Sequence, residues 1–108
     1  MKKIIILLLL FFINSEVNAS RTLMYSKYKE NPKIYEDHLM SLESGYSWLM
    51  TWQKKDIYCK PSNLEISLKN IQQALNLSVT EFKKKGRNPD EFPVEILLID
   101  GLIKLFPC

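Results

Sequence analysis

The feature that most narrows the choice of fold is a pair of cysteines, Cys59 and Cys108, the only two in 108 residues. In an oxidising compartment each has a single intramolecular partner, so the connectivity is unambiguous and the bond would close a loop of about 50 residues. The other end of the chain suggests that compartment. MKKIIILLLLFFI places two lysines ahead of ten uninterrupted apolar residues, and Val17-Asn18-Ala19 follows as a small-residue cleavage site. This is the pattern of a secretory signal peptide, and it predicts a single exported domain over residues 20–108, cut near Ala19. The apolar run is well short of the roughly 20 residues that span a bilayer, so no stable membrane anchor is expected after cleavage.

Export also sharpens the reading of charge. The whole chain carries a formal charge of +3, and removing residues 1–19 takes away two lysines and one glutamate, leaving +2. So small an excess does not argue for nucleic acid, a membrane surface or an acidic substrate. A domain of this size buries only a modest share of its surface, and exported domains commonly add a covalent staple. Cys59 and Cys108 are that staple.

After the leader, apolar residues recur at three and four positions, so the expected fold is all-α, a small bundle of four to five helices with one disulfide. A short helical segment over 21–30 stops at Asn31-Pro32, because the residue before proline is driven from the α region. A second helix is predicted over 33–53, with Tyr35, Leu39, Leu42, Tyr46 and Leu49 on one face. Ser41, Ser44 and Gly45 form an adjacent strip of small side chains. A helical glycine costs about 1 kcal/mol relative to alanine, so close approach of another backbone is the expected use of Gly45.

Residues 54–63 read as a loop carrying the first half of the disulfide. Ser62 with Glu65 fits a capping box for a helix whose face is Leu64, Leu68, Ile71 and Leu75. Ser78 with Glu81 repeats that signature, which leaves open whether residues 64–85 form one helix or two. Gly86 is the expected stop, and Lys83, Lys84 and Lys85 suit the negative end of the helix dipole. Pro93 then opens a last helix with two apolar stripes, Val94, Leu98, Leu102 and Leu105 beside Ile96, Ile99, Ile103 and Phe106. Such breadth predicts a central core helix, with a dimer seam as the alternative use.

The inventory for chemistry is thin. One histidine and two cysteines already assigned to each other argue against a metal site or a nucleophile–base pair, and no enzyme activity, cofactor or metal is expected. His38, beside the apolar face of the second helix, reads as structural. The glycines stand alone at 45, 86 and 101, so there is no phosphate-binding loop. Tyr46, Trp48, Trp52 and Tyr58 can either fill a core, the expected use, or anchor a protein interface. KKKGRNPDE, turning from basic to acidic, reads as a solvated loop, with a protruding recognition loop as its functional alternative.

LMSLESGYSWLM, IYCKP, ISLKNI and the terminal VEILLIDGLIKLFPC together resemble the Rap/Tai family of type VI secretion immunity proteins. The resemblance covers roughly residues 35–108, and its best markers are the Tyr-Cys-x-Pro element and the closing Phe-Pro-Cys. Members are small, exported, all-α and non-enzymatic, and the best understood protect a bacterium from peptidoglycan amidases delivered into its periplasm. The resemblance implies that Cys59 and Cys108 are the family disulfide, Gly45 and Trp48 helix-packing positions, and Phe106 and Pro107 the closing element. Two departures are the absence of a second, upstream cysteine pair and a longer 76–92 region.

The leading expectation is therefore a periplasmic immunity protein that binds a cognate secreted effector, a cell-wall amidase, as a dimer and occludes its active site. The loops at 53–63 and 83–93 are the expected plugs, with Trp52, Lys54, Lys55, Lys84, Arg87, Asp90 and Glu91 as contact residues. The competing expectation is a periplasmic acid-stress chaperone, which would loosen near pH 2 to 3 and bind clients through its apolar helix.

Overall fold

Proline and two carboxylates set the start of the first long helix. Pro32 opens a 3-10 turn over Pro32–Tyr35, and helix α2 continues it as Glu36–Gln53, with Glu36 and Asp37 in the first turn where negative charge complements the dipole. The computed structural model describes residues 22–61 and 65–108. The signal-peptide expectation, Ser62 and Leu64 lie outside the described residues. Within them the other helices are α1 (Tyr25–Tyr28), α3 (Leu68–Lys84) and α4 (Val94–Leu105), with a second 3-10 turn at Pro89–Glu91. The fold is all-α, as expected. No helix among the described residues is long and apolar enough to cross a membrane.

The third helix starts later than expected and is not divided. Its N-cap is Ser67, whose Oγ accepts from the Asn70 backbone N–H at 3.2 Å while Asn70 Oδ1 accepts from the Ser67 N–H at 3.3 Å. Asn70 thus performs the reciprocal half of a capping box expected of Glu65, which is exposed and lies ahead of the helix. Ile66 and Ile71 flank the cap and are both buried, the arrangement of a hydrophobic staple. Ser78 is fully buried within the helix, and its Oγ donates to Asp100 Oδ2 of α4 at 2.8 Å. Glu81 pairs with Lys104, also of α4. The residues that resembled a second cap have partners on a neighbouring helix, so nothing local breaks the backbone there.

Helices α3 and α4 make the principal contact of the core. Val94, Leu97, Leu98 and Leu102 have no solvent exposure, and Ile71, Ala74, Leu75 and Val79 face them from α3. Gly101 makes the close approach: a Cβ there would lie 1.8 Å from the Ala74 carbonyl oxygen. That role had been expected of Gly45, where an added Cβ meets no atom within 4 Å. Val94, Leu98 and Leu102 of the first apolar stripe of α4 are buried as the central-helix reading requires and Leu105 is half-buried, whereas Ile96 and Ile103 of the second are 49 % and 40 % exposed.

The N-terminal segment completes the start of α4. Val94 N–H donates to the Leu23 carbonyl at 2.8 Å and Tyr25 N–H donates to the Phe92 carbonyl at 3.0 Å. One otherwise orphan donor of the helix is thereby satisfied. At the far end, Cys59 and Cys108 form the expected disulfide, 49 residues apart in sequence. Such a bond belongs to oxidising, exported surroundings.

Two consequences can be measured by urea unfolding. Gly101→Ala should cost about 3 kcal/mol because backbone must move, while Gly45→Ala should stabilise the exposed helix by up to about 1 kcal/mol. Replacing both cysteines by serine should cost about 4 kcal/mol, the chain-entropy value for a loop of this length.

Candidate functional site

On α2 the buried side is marked by Leu39, Glu43 and Met50, with Tyr46 half-buried beside them. Trp48 stands two and a half turns from Leu39 and so faces the opposite way. It is 73 % exposed, and Trp52, one turn further on, is 86 % exposed. Core filling is therefore not the role of these two tryptophans, in contrast to Tyr58, which is buried, and Tyr46. The tyrosines go inside because each hydroxyl finds an acceptor there. Tyr46 donates to the Glu95 carbonyl at 2.7 Å and Tyr58 to Glu43 Oε1 at 3.1 Å.

Between the tryptophans runs an open apolar groove of about 510 Å³, lined by Gly45, Trp48, Leu49, Thr51 and Trp52. The bare Cα of Gly45 forms part of its floor. A solvent-facing aromatic pair beside an apolar groove suits recognition of another protein, because tryptophan presents a large contact area with little rotamer entropy to lose.

The end of the molecule bearing these tryptophans is unusually well fastened. Ile57 N–H points to Met50 Sδ at 3.1 Å, and Tyr58 reaches Glu43. Cys59 N–H donates to the Phe106 carbonyl at 2.8 Å in addition to its disulfide, and Lys60 Nζ lies 2.8 Å from Glu43 Oε1. Four consecutive residues are each held by a different tie. Glu43 is only 7 % exposed, and the same Oε1 also accepts from Ser47 Oγ at 2.9 Å. A carboxylate that is buried is tolerated when donors surround it in this way.

Helix α2 ends beside this clamp at Lys54, whose φ of 54° is left-handed. Lys54 N–H bonds to the Thr51 carbonyl and Lys55 N–H to the Met50 carbonyl. Helix α3 ends with the same hydrogen-bond pattern, Gly86 N–H to Lys83 and Arg87 N–H to Phe82, with the expected glycine at the left-handed position (φ 74°). A lysine there carries a backbone cost that glycine avoids.

The seven expected contact residues do not form one surface. Trp52, Lys54 and Lys55 lie at the clamp, which is tied to Phe106 at the C-terminal end of α4. Lys84 ends α3, and Arg87, Asp90 and Glu91 belong to the connection that enters the N-terminal end of α4. The twelve residues of that helix, about 18 Å of axial rise, lie between Phe106 and that connection. In the second group Asp90 is engaged by Lys29 at 2.6 Å, and the Arg87 guanidinium lies 5.8 Å from the centre of the Phe82 ring.

Glu43, Lys60 and Trp48 were not among the expected site residues. The available signal for Glu43 was its position in the series 39, 43, 46 and 50, which repeats at four, three and four along the buried side. His38 lies 3.3 Å from Glu95 Oε1, joining α2 to α4, as its structural reading required. Among the described residues no three His, Cys, Asp or Glu side chains are grouped to hold a metal. No family model matches the chain, and neither curated proteins nor solved structures give a match.

Burial pushes the Tyr58 and Tyr46 hydroxyls well above the ordinary tyrosine value of 10.0, and the nearby Glu43 and Glu95 charges reinforce the shift. The folded state therefore keeps both neutral at a pH where the unfolded chain ionises. Their contribution is fully present below pH 10 and is lost as pH rises above it. Urea midpoints should fall steeply above pH 10 in the natural protein. The decline should be flatter in a Tyr46→Phe/Tyr58→Phe variant, though not absent, since Tyr25 and Tyr28 are also raised by burial.

Proposed function

We propose that this domain is an exported inhibitor of the Rap/Tai immunity type, which binds a secreted peptidoglycan amidase and blocks it by occlusion. The observation that carries the reading is the exposed Trp48–Trp52 face on a disulfide-clamped end. A competitive inhibitor needs a surface that is already ordered, because side chains and loops that must be fixed on binding subtract from affinity. The ties on residues 57–60 order the segment that follows this face and fasten it to the helix that bears the tryptophans. Lys54 supports the same face: its left-handed backbone would be easier for glycine, and strained positions of this kind cluster at functional surfaces.

The binding face in this reading is Trp48, Trp52, Lys54 and Lys55, with the tryptophans as anchors and the lysines on the rim. The compartment is the periplasm, reached by cleavage near Ala19. Self-association belongs to the proposal too, through the open Ile96 and Ile103 stripe of α4, which leaves the tryptophan face available to the effector.

Size exclusion with light scattering tests this directly, on the oxidised protein alone and mixed with an inactive form of the protein encoded by the adjacent gene. A stable complex is expected, and Trp48→Ala/Trp52→Ala should weaken it by about 100-fold or more while leaving the unfolding midpoint unchanged. Absence of a complex at concentrations well above micromolar would overturn the immunity reading and direct attention to acid-induced client binding.

A further inference from the structure

The whole-chain charge conceals a concentration of positive charge at one place. Lys83, Lys84, Lys85 and Arg87 occur within five residues, all exposed. None of the four has a carboxylate partner among the described residues, where every ion pair uses other cations. The nearest acids in sequence are largely engaged elsewhere, Glu81 by Lys104 and Asp90 by Lys29, leaving Glu91 exposed on the following turn.

The turn that displays these cations is built. Gly86 takes the left-handed conformation, its N–H bonds to the Lys83 carbonyl at 3.0 Å, and Arg87 N–H closes on the Phe82 carbonyl at 2.9 Å. Arg87 is further held over the Phe82 ring, which meets Phe92 edge to face at 4.9 Å between centroids. The cationic end is therefore a fixed feature of the fold, although the lysine side chains themselves are free to move.

Geometry indicates what it can meet. Successive residues on a helix step by about 100°, so Lys83, Lys84 and Lys85 fan around the end of α3 instead of sharing one side. A protein patch laid against one side of the helix would engage one or two of them. A charged plane meeting the helix end-on engages all three and Arg87 as well. Lysine ammoniums on flexible stems act as hydrated point charges, suited to a diffuse anionic surface.

We infer that the C-terminal end of α3 docks reversibly on an anionic phospholipid surface, in addition to and independently of the inhibitor role. Docking through this end does not use the tryptophan face, which belongs to a different helix, and leaves it open to a protein partner. It is a surface association and not an anchor, because each cation near such a membrane contributes only about fivefold to partitioning.

Sedimentation of the oxidised, exported protein with vesicles provides the test. Binding is expected to phosphatidylcholine vesicles containing about one-third phosphatidylglycerol at low salt, and should be lost on phosphatidylcholine alone or in about 0.5 M NaCl, where charges are screened within a few ångströms. Lys83→Gln/Lys84→Gln/Lys85→Gln should reduce partitioning by about 100-fold, whereas Lys54→Gln/Lys55→Gln, at the opposite end, should leave it unchanged. The proposal is overturned by absent binding, by equal binding to neutral vesicles, by an unaffected triple variant or by an equal loss in the Lys54/Lys55 variant. Displacement by millimolar inorganic phosphate without change in ionic strength would overturn it in favour of a small-anion site. Loss of the amidase complex in the triple variant with vesicle binding intact would do so in favour of a protein partner.

Discussion

The contact between Gly101 and Ala74 sets the geometry on which the other helices depend. A carbonyl oxygen of α3 occupies the space a side chain on α4 would need, so the two helices approach at backbone distance. At that separation Val94, Leu97, Leu98 and Leu102 exclude water completely. The same closeness lets Ser78 reach Asp100, and Lys104 bridge Asp100 and Glu81, so polar atoms beside the seam are satisfied without breaking either helix. Burial of apolar surface drives the pairing, while these links fix its register.

Helix α2 leans on this pair with a narrower apolar face and relies on other means of attachment. Tyr46 ties it to the first turn of α4, and Glu43 ties it to the segment bearing Cys59. The disulfide and the Cys59–Phe106 hydrogen bond then join that segment to the far end of α4. Held by these mid-helix ties, α2 keeps Trp48 and Trp52 in solvent on its outer side. A small domain with so much aromatic surface outside has a stability cost to offset, and the covalent loop offsets much of it by restricting the unfolded chain.

The molecule thus has two different ends. One is aromatic, clamped and bounded by the strained Lys54 turn; the other is cationic and formed by the Gly86 turn. Both ends use the same hydrogen-bonded way of stopping a helix, and their chemical difference comes from the side chains placed around it. The two lie on different helices, so the residues that serve one are not those that serve the other.

The all-α class, the disulfide pairing, the Gly86 stop and the start of α4 after Pro93 were legible in the sequence, because periodicity, cysteine count and turn chemistry act over a few residues or leave one choice. The candidate site was legible only in part. Trp52 and Lys54 could be named as contacts, but core filling was the favoured use of the aromatic set to which Trp48 and Trp52 belong, and two separate loops were expected to act together. A helical pattern tells which residues share a face, and not which of two apolar faces a neighbouring helix will cover. Ser67 with Asn70 caps α3, and Ser78 joined α4 instead of capping a new helix because its partner Asp100 is distant along the chain. Gly45 and Gly101 look alike as isolated helical glycines. Local sequence determined that the chain would form helices and could close one covalent loop. Tertiary packing decided which glycine met a backbone, which aromatic rings stayed in water and which charges were left without partners, because each depends on a surface brought from elsewhere in the chain.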